Sequence, residues 1–252
     1  MPIKIEVRDL KKSFASDKGL LPVIEAVSLS VEDGEFVAIV GPSGCGKSTL
    51  MNLMAGFIQP DAGSVVINGV RRTKPDSRGI LISQQGSVFP WLTVRENLMF
   101  GLNGHAPPDK RALAEHYADI VGLKGFEDSY PHELSGGMIK RTELARALVV
   151  KPEILYMDEP FSALDALLSL RMRNELLRIL ARERHTTLLI THDVEEAIHL
   201  ADRIVVLSPR PTRIQAVFNV PFEHPRRLSS REAQALRLTI LSELGVQRDE
   251  LG

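Results

Sequence analysis

"EFVAIVGPSGCGKSTLMNLMAG", residues 35–56, decides the fold class. Phe36 to Val40 is an unbroken apolar run, the mark of a strand buried on both faces. Gly41, Gly46, Lys47 and Ser48 then satisfy the spacing GxxxxGK[ST], and Leu50, Leu53, Met54 and Phe57 follow at helical intervals. A strand, a glycine-rich turn and a helix in that order build a phosphate cradle. The turn glycines let successive N–H groups curl around phosphate oxygens, and the helix N-terminus adds positive potential. Pro42, Ser43, Gly44 and Cys45 complete the loop. In such a loop Lys47 reaches the β- and γ-phosphates, the Ser48 hydroxyl ligates Mg2+, and Thr49 bonds on the α-phosphate side.

Working outward, Ile3, Ile5 and Val7 alternate with polar residues, as do Val27, Leu29 and Val31, so half-buried strands precede the buried one. "SVVING" and "GILIS" read as further strands. Between Ser87 and Pro152 the strand patterns stop, and "RENLMFGL", "DKRALAEHYADIVGL" and "GGMIKRTELARALVV" carry helical periodicity between Gly or Pro breaks. "EILYMDE", "TTLLITHD" and "RIVVLS" return as short buried strands, with an amphipathic helix from about Ala166 to Arg184 between the first two. Alternating strand and helix predicts a mainly parallel sheet covered on both faces. Beyond Pro209 a proline-punctuated hairpin or extension leads to a last helix, where Ser229 and Glu232 fit a capping box.

The chain has 252 residues, 44% hydrophobic and 25% charged, enough for one substantial core or two small ones. A net charge of −1 carries no general attraction toward nucleic acid or anionic lipid. Five arginines fall between Arg171 and Arg184, but beside Glu175 and Glu183 on an amphipathic helix they read as a solvated face. No apolar run approaches the ~20 residues of a membrane span, and no signal pattern opens the chain. The single cysteine, Cys45, excludes an internal disulfide and fits a reducing compartment. At a helix N-terminus its thiol pKa is expected to fall, which predicts alkylation that a nucleotide bound in the cradle protects against.

Two carboxylates, Asp158 and Glu159, end the apolar run of "ILYMDEP", where open α/β sheets place their ligands. Asp158 suits Mg2+, and Glu159 suits orienting or deprotonating an attacking water. His192, after "TLLIT", stands at another strand end, as a polar contact near a γ-phosphate or as a structural histidine. Gln84 ends "GILIS", where its amide either touches Mg2+ or water or simply faces solvent. Phe14 is a candidate to stack on adenine, or a core residue. A second anion site is predicted in "ELSGGMIKRTEL", residues 133–144: Ser135 is an N-cap, and Gly136 and Gly137 bare the first-turn N–H groups. One cradle already wraps its phosphates from one side. A second terminus acts on the same nucleotide only from the opposite side, supplied by another domain or another chain.

The ordered set "GPSGCGKST", Gln84, "LSGG", "ILYMDEP", "SALD" and "THD", spread over residues 3–208, resembles the ATP-binding subunit of ABC transporters. The resemblance implies an α/β P-loop NTPase (RecA-like) core with an antiparallel β-subdomain and an inserted α-helical signature subdomain. It divides the chain into residues 1–86 and 153–208 as the ATP-binding core, 87–152 as the helical subdomain and 209–252 as a C-terminal extension. It implies ATP with Mg2+ bound at Ser48, Gln84 and Asp158, and two copies closing head-to-tail. Ser135, Gly136 and Gly137 then meet the γ-phosphate held by the other copy, Asp165 lies at the same seam, and Phe14 stacks on adenine. Glu159, His192, Gln84 and Lys47 form the hydrolytic set. "VFPWLTVREN", "HELSGGM", "DEPFSALDALLSLRMRNEL" and "LSPRPTRI" are similar to the importer subfamily for nitrate, sulfonate or taurine. That likeness implies permease partners, indirectly an external substrate-binding protein, and a peripheral place on the cytoplasmic face of the cell membrane. Ser87 to Trp91 would face a permease coupling helix, with core packing the alternative for Trp91. A non-transport ABC ATPase acting on nucleic acid or ribosomes is the rival reading, but such proteins usually carry two cassettes or a long coiled-coil insertion, and neither is found here.

The chain departs from the family pattern in places. Met138 replaces the usual signature glutamine, Ile139 and Lys140 stand where glutamines are usual, and Thr142 and Glu143 replace small or apolar residues. Ser83 stands where an aromatic residue usually precedes the glutamine. These changes bear on coupling or rate.

Overall fold

The computed structural model describes residues 2–17, 19–84, 86–102, 109–162, 164–182 and 185–246. Along the chain run β1 (Ile3–Ser16), β2 (Gly19–Glu32), β3 (Phe36–Val40), α1 (Lys47–Ala55), β4 (Ala62–Ile67), β5 (Val70–Arg71), β6 (Gly79–Ile82), α2 (Val94–Phe100), α3 (Lys110–Ile120) and α4 (Gly136–Leu148). There follow β7 (Ile154–Asp158), α5 (Ala166–Arg182), β8 (Thr186–Ile190), α6 (Val194–Leu200), β9 (Arg203–Leu207), β10 (Ile214–Asn219) and α7 (Arg231–Glu243). Two compact units result: residues up to Asp76 joined by those from Thr186 onward, and Ser77–His185.

In the first unit β2, β1, β4 and β5 form an antiparallel sheet in that order. Val27, Leu29 and Val31 are buried while Ser28, Ser30 and Glu32 are exposed, which is the period-two pattern of a sheet with one wet face. Both long strands outrun the alternating segments seen in the sequence, because Phe14 pairs with Leu21 and Ser16 with Gly19 in a region where both partners are exposed. β3 lies between β8 and β9 and is parallel to both; β10 adds antiparallel to β9. Every residue of β3 and β8 is buried, as their continuous apolar runs require.

The second unit contains the parallel pair β6 and β7 and the helices α2 to α5. Met172, Leu176 and Ile179 turn one face of α5 inward, and Arg171, Arg178 and Arg182 lie exposed. Residues 183 and 184, expected to finish that helix, lie outside the described residues. α4 stops at Leu148, two residues short of the expected Val150, ahead of Pro152. The last helix starts one residue later than expected. Its cap is Ser230, whose Oγ accepts from the Ala233 amide at 3.2 Å, so Ser229 is not the capping residue.

Among the described residues no helix is long and apolar enough to cross a membrane.

Candidate functional site

In the first unit the glycine-rich loop leaves the end of β3 and enters α1 at Gly46. Gly46 has φ 119°, a left-handed conformation that side chains resist, and a Cβ there would sit 2.8 Å from Val23 Cγ1. It caps α1 without offering any side chain to the first-turn N–H groups, of which that of Lys47 bonds the Cys45 sulfur. At Gly41 a Cβ would stand 3.1 Å from Leu207 Cβ, tight against the neighbouring strand. Lys47 is buried, and its Nζ donates to the carbonyls of Gly41 at 2.7 Å and Pro42 at 2.9 Å, arching across the loop. Two of its three donors hold the loop; the ammonium also supplies the cation a polyphosphate needs. Ser43, Gly44 and Ser48 are exposed, while Pro42 and Thr49 are partly so.

Cys45 departs from expectation. It is 2% exposed, and burial pushes its thiol pKa up; the nearby Lys47 and Arg210 charges oppose this without overcoming it. The helix terminus does not win because the sulfur is packed inside the loop, where desolvation of a thiolate is the larger effect.

Thr212 is a site residue that sequence reasoning missed. It is fully buried, its hydroxyl donates to the Cys45 carbonyl, and its backbone bonds Val23 and Glu25. No periodic pattern marks it. The quoted "LSPRPTRI" contains it, but its partner lies 167 residues away.

Phe14, in β1, is 37% exposed with the Lys12 ammonium 5.5 Å from its ring, so it is an open aromatic face and not a core residue. His192 is exposed just past β8. Its neighbours fix the turn: Asp193 caps α6 by accepting from the Glu195 and Glu196 amides, and Thr191 Oγ1 accepts from the Asp193 amide at 3.0 Å.

In the second unit Asp158 is the last residue of the buried strand β7 and is itself buried. Glu159 follows with φ 49°, a left-handed conformation that costs a non-glycine residue about 1 kcal/mol or more. Its carbonyl accepts from Ser162 Oγ at 3.0 Å, and its carboxylate accepts from the Gln84 amide at a long 3.4 Å. Strain of this kind persists where surrounding structure imposes it. Gln84, exposed beyond the end of β6, is thereby brought to the candidate base.

The signature segment opens α4. Ser135 Oγ accepts from the Met138 amide at 3.3 Å, the expected cap. A Cβ on Gly136 would meet nothing within 4 Å, whereas one on Gly137 would come 3.3 Å from Leu164 Cδ2. Asp165 accepts from the Leu168 amide at 2.9 Å and so caps α5. The structure therefore sets the start of α4 beside the start of α5 within one chain.

The "VFPWLTVREN" stretch forms a closed loop. Asn97 is fully buried; its Oδ1 accepts from the Phe89 amide, and its Nδ2 donates to the carbonyls of Phe89, Leu92 and Thr93 at 2.9–3.1 Å. A capping box between Thr93 and Glu96 starts α2. Trp91 is 69% and Phe100 50% exposed, with Phe89 packed 5.5 and 4.4 Å from their ring centroids. Trp91 is not core.

Comparison with known proteins agrees with this geometry. The model of the family described as ABC transporter matches residues 24–162. The chain is 40% identical over 239 residues to the aliphatic sulfonates import ATP-binding protein SsuB of Bacillus thuringiensis subsp. konkukian, covering 95% of each chain. It is 41% identical over 221 residues to the taurine import ATP-binding protein TauB of Roseobacter denitrificans, covering 86% of this chain and 82% of that one. Among solved structures, the dimeric ATP-binding cassette MJ0796 in a post-hydrolysis state with ADP and Pi superposes with a TM-score of 0.77 at 26% identity, over 87% of this chain and all of that one. With a family model matching more than half of it and relatives at about 40% identity over most of their length, the chain belongs to the ABC transporter family, as one of its ATP-hydrolysing cassettes.

Proposed function

We propose that this chain energises uptake of a small anion or organic solute of the nitrate, sulfonate or taurine type, as the ATP-hydrolysing subunit of an ABC importer. The observation that carries this reading is the 40% identity to a sulfonate-import ATP-binding protein over 95% of both chains. The exposed Trp91, on the loop that Asn97 closes, and Phe100, at the end of α2, supply an apolar docking surface for a permease subunit. The chain then sits on the cytoplasmic face of the membrane through that permease, and an external substrate-binding protein selects the solute.

In this reading residues 41–49 hold the ATP phosphates and Phe14 stacks on adenine. Ser48, Asp158 and Gln84 would be the oxygen donors for Mg2+. Hydroxyl, amide and carboxylate oxygens are the hard donors that Mg2+ takes, with water and phosphate completing its shell. When bound, Mg2+ neutralises developing charge on the phosphates. Glu159 accepts the proton of the attacking water, Gln84 positions that carboxylate and the water, and His192 contacts the γ-phosphate. Ser135, Gly136 and Gly137 close on the nucleotide of a second copy, with Asp165 at the seam. Residues 87–152 act as the helical subdomain, inserted between the two parts of the core.

The test is reconstitution of the chain with its permease pair and binding protein in vesicles. Solute-loaded binding protein should raise ATP hydrolysis several-fold. Stimulation by DNA or ribosomes, with none by the transport partners, would overturn the importer reading.

A further inference from the structure

Three positions at which the sequence departs from the family pattern, Ser83, Lys140 and Glu143, meet in the second unit. Lys140 and Glu143 lie one turn apart on α4, 7% and 2% exposed. Lys140 Nζ stands 3.0 Å from Glu143 Oε2 and donates to the Ser83 carbonyl at 2.9 Å. Glu143 Oε1 accepts from the Ser87 amide. Arg146, a further turn along, donates to Ser87 Oγ at 2.7 Å and places its guanidinium 4.8 Å from the Phe89 ring centroid. The two charged side chains thus hold backbone atoms on both sides of Gln84, the residue immediately after Ser83 and three before Ser87.

We propose that the Lys140–Glu143 pair is a latch that fixes the Gln84 segment to the signature helix, making both of them positioning residues for Gln84. Each charge is buried beside the other, and each also makes one hydrogen bond to a backbone group of the segment. A bare ion pair would stabilise α4 alone. This one also ties Ser83 and Ser87 to it, so a displacement of α4 is delivered to the amide that touches Glu159. The docking loop is tied to the same helix through Ser87 and Phe89. The inference rests on the proposed roles of Gln84 and Glu159 in hydrolysis.

The test compares four variants of the full chain. Lys140→Arg and Glu143→Gln each retain the donor or acceptor that holds the segment. The exchange Lys140→Glu with Glu143→Lys restores an ion pair but reverses both, so Ser83 faces a carboxylate and Ser87 an ammonium. Gln84→Ala is the reference. Single-turnover ATP hydrolysis, the Kd for ATP and acrylamide quenching of Trp91, the only tryptophan, are measured for each. The latch requires the exchange variant to lose about tenfold or more in turnover, close to the loss in Gln84→Ala, with the ATP Kd within about twofold of the parent and Trp91 more quenchable. Lys140→Arg, which keeps both charge and donor, should stay within about threefold of the parent, whereas Glu143→Gln leaves the buried Lys140 ammonium without its counter-charge and should fall between the parent and the exchange variant. Parental turnover and quenching in the exchange variant would overturn the latch, since a merely structural ion pair is rescued by exchange. If the exchange variant does not fold, Lys140→Met with Glu143→Leu carries the same expectations. Parental turnover in Gln84→Ala would instead refute the role given to Gln84; the latch is then judged by quenching, and unchanged quenching in the exchange variant overturns it.

Discussion

The Gln84 amide reaches the Glu159 carboxylate at 3.4 Å, and Glu159 holds that carboxylate out on a backbone with φ 49°. A glutamate in the left-handed region is strained, and the position would suit glycine better. Glu159→Gly is therefore expected to raise stability by about 1 kcal/mol while abolishing turnover. Thermal unfolding beside an ATPase assay checks both halves. A loss of stability would mean that Glu159 contributes more through its contacts than its backbone costs.

The two candidate anion sites differ in what their glycines do inside the chain. Gly46→Ala forces a Cβ to within 2.8 Å of Val23 at φ 119°, so it should cost about 2–4 kcal/mol and remove ATP binding. Gly136→Ala meets no atom within 4 Å and should leave stability unchanged or raise it by up to about 1 kcal/mol. Its expected loss is confined to ATP-driven dimerisation, read by light scattering with the Kd for ATP unchanged. Normal dimerisation in Gly136→Ala would count against an approach of a second chain's phosphate to that turn.

Asn97 satisfies both the amide and the carbonyl of Phe89, besides two further carbonyls, from a fully buried side chain. Asn97→Ala takes this partner from the Phe89 amide and the Leu92 carbonyl, while the carbonyls of Phe89 and Thr93 still accept from the Leu92 and Asn97 amides, and it should cost about 1–3 kcal/mol. The affected loop carries Trp91, so its emission should become more accessible to quencher. Binding to permease should weaken more than hydrolysis by the isolated chain.

Cys45 gives the pH prediction. The thiolate is the reactive form, and a raised pKa leaves less of it at neutral pH. Alkylation of the folded protein should be slower than that of a free thiol at pH 7–8 and should still be rising above about pH 9. Because the sulfur is already enclosed, ATP should change the rate little. Rapid, ATP-protected modification at pH 7 would mean that the helix terminus outweighs burial.

Much of this was legible in the sequence where the pattern was local. The run Phe36–Val40 is fully buried in β3, Lys47 opens α1, Asp158 closes β7 and Ser135 caps α4, because each depends on neighbours a few residues away. The missed features depend on distant partners. Thr212 bonding Cys45 and the β1–β2 pairing beyond Leu10 have no periodic signal, since one is a single buried hydroxyl and the other has both faces wet. The helix end that adjoins Cys45 is local and visible in sequence, while the residue's burial comes from the packed loop and is not. Lys140 and Glu143 were visible as departures from a pattern, but only the fold reveals that they meet Ser83 and Ser87.

The central claim is that Glu159 activates the water that cleaves ATP held by residues 41–49. Measuring ATP affinity, single-turnover hydrolysis and ATP-dependent dimer formation in Glu159→Gln tests it most directly. The predicted result is ATP affinity within about twofold of the parent, hydrolysis slower by about a hundredfold or more, and a dimer that persists with ATP bound. Hydrolysis at the parental rate in Glu159→Gln would contradict it.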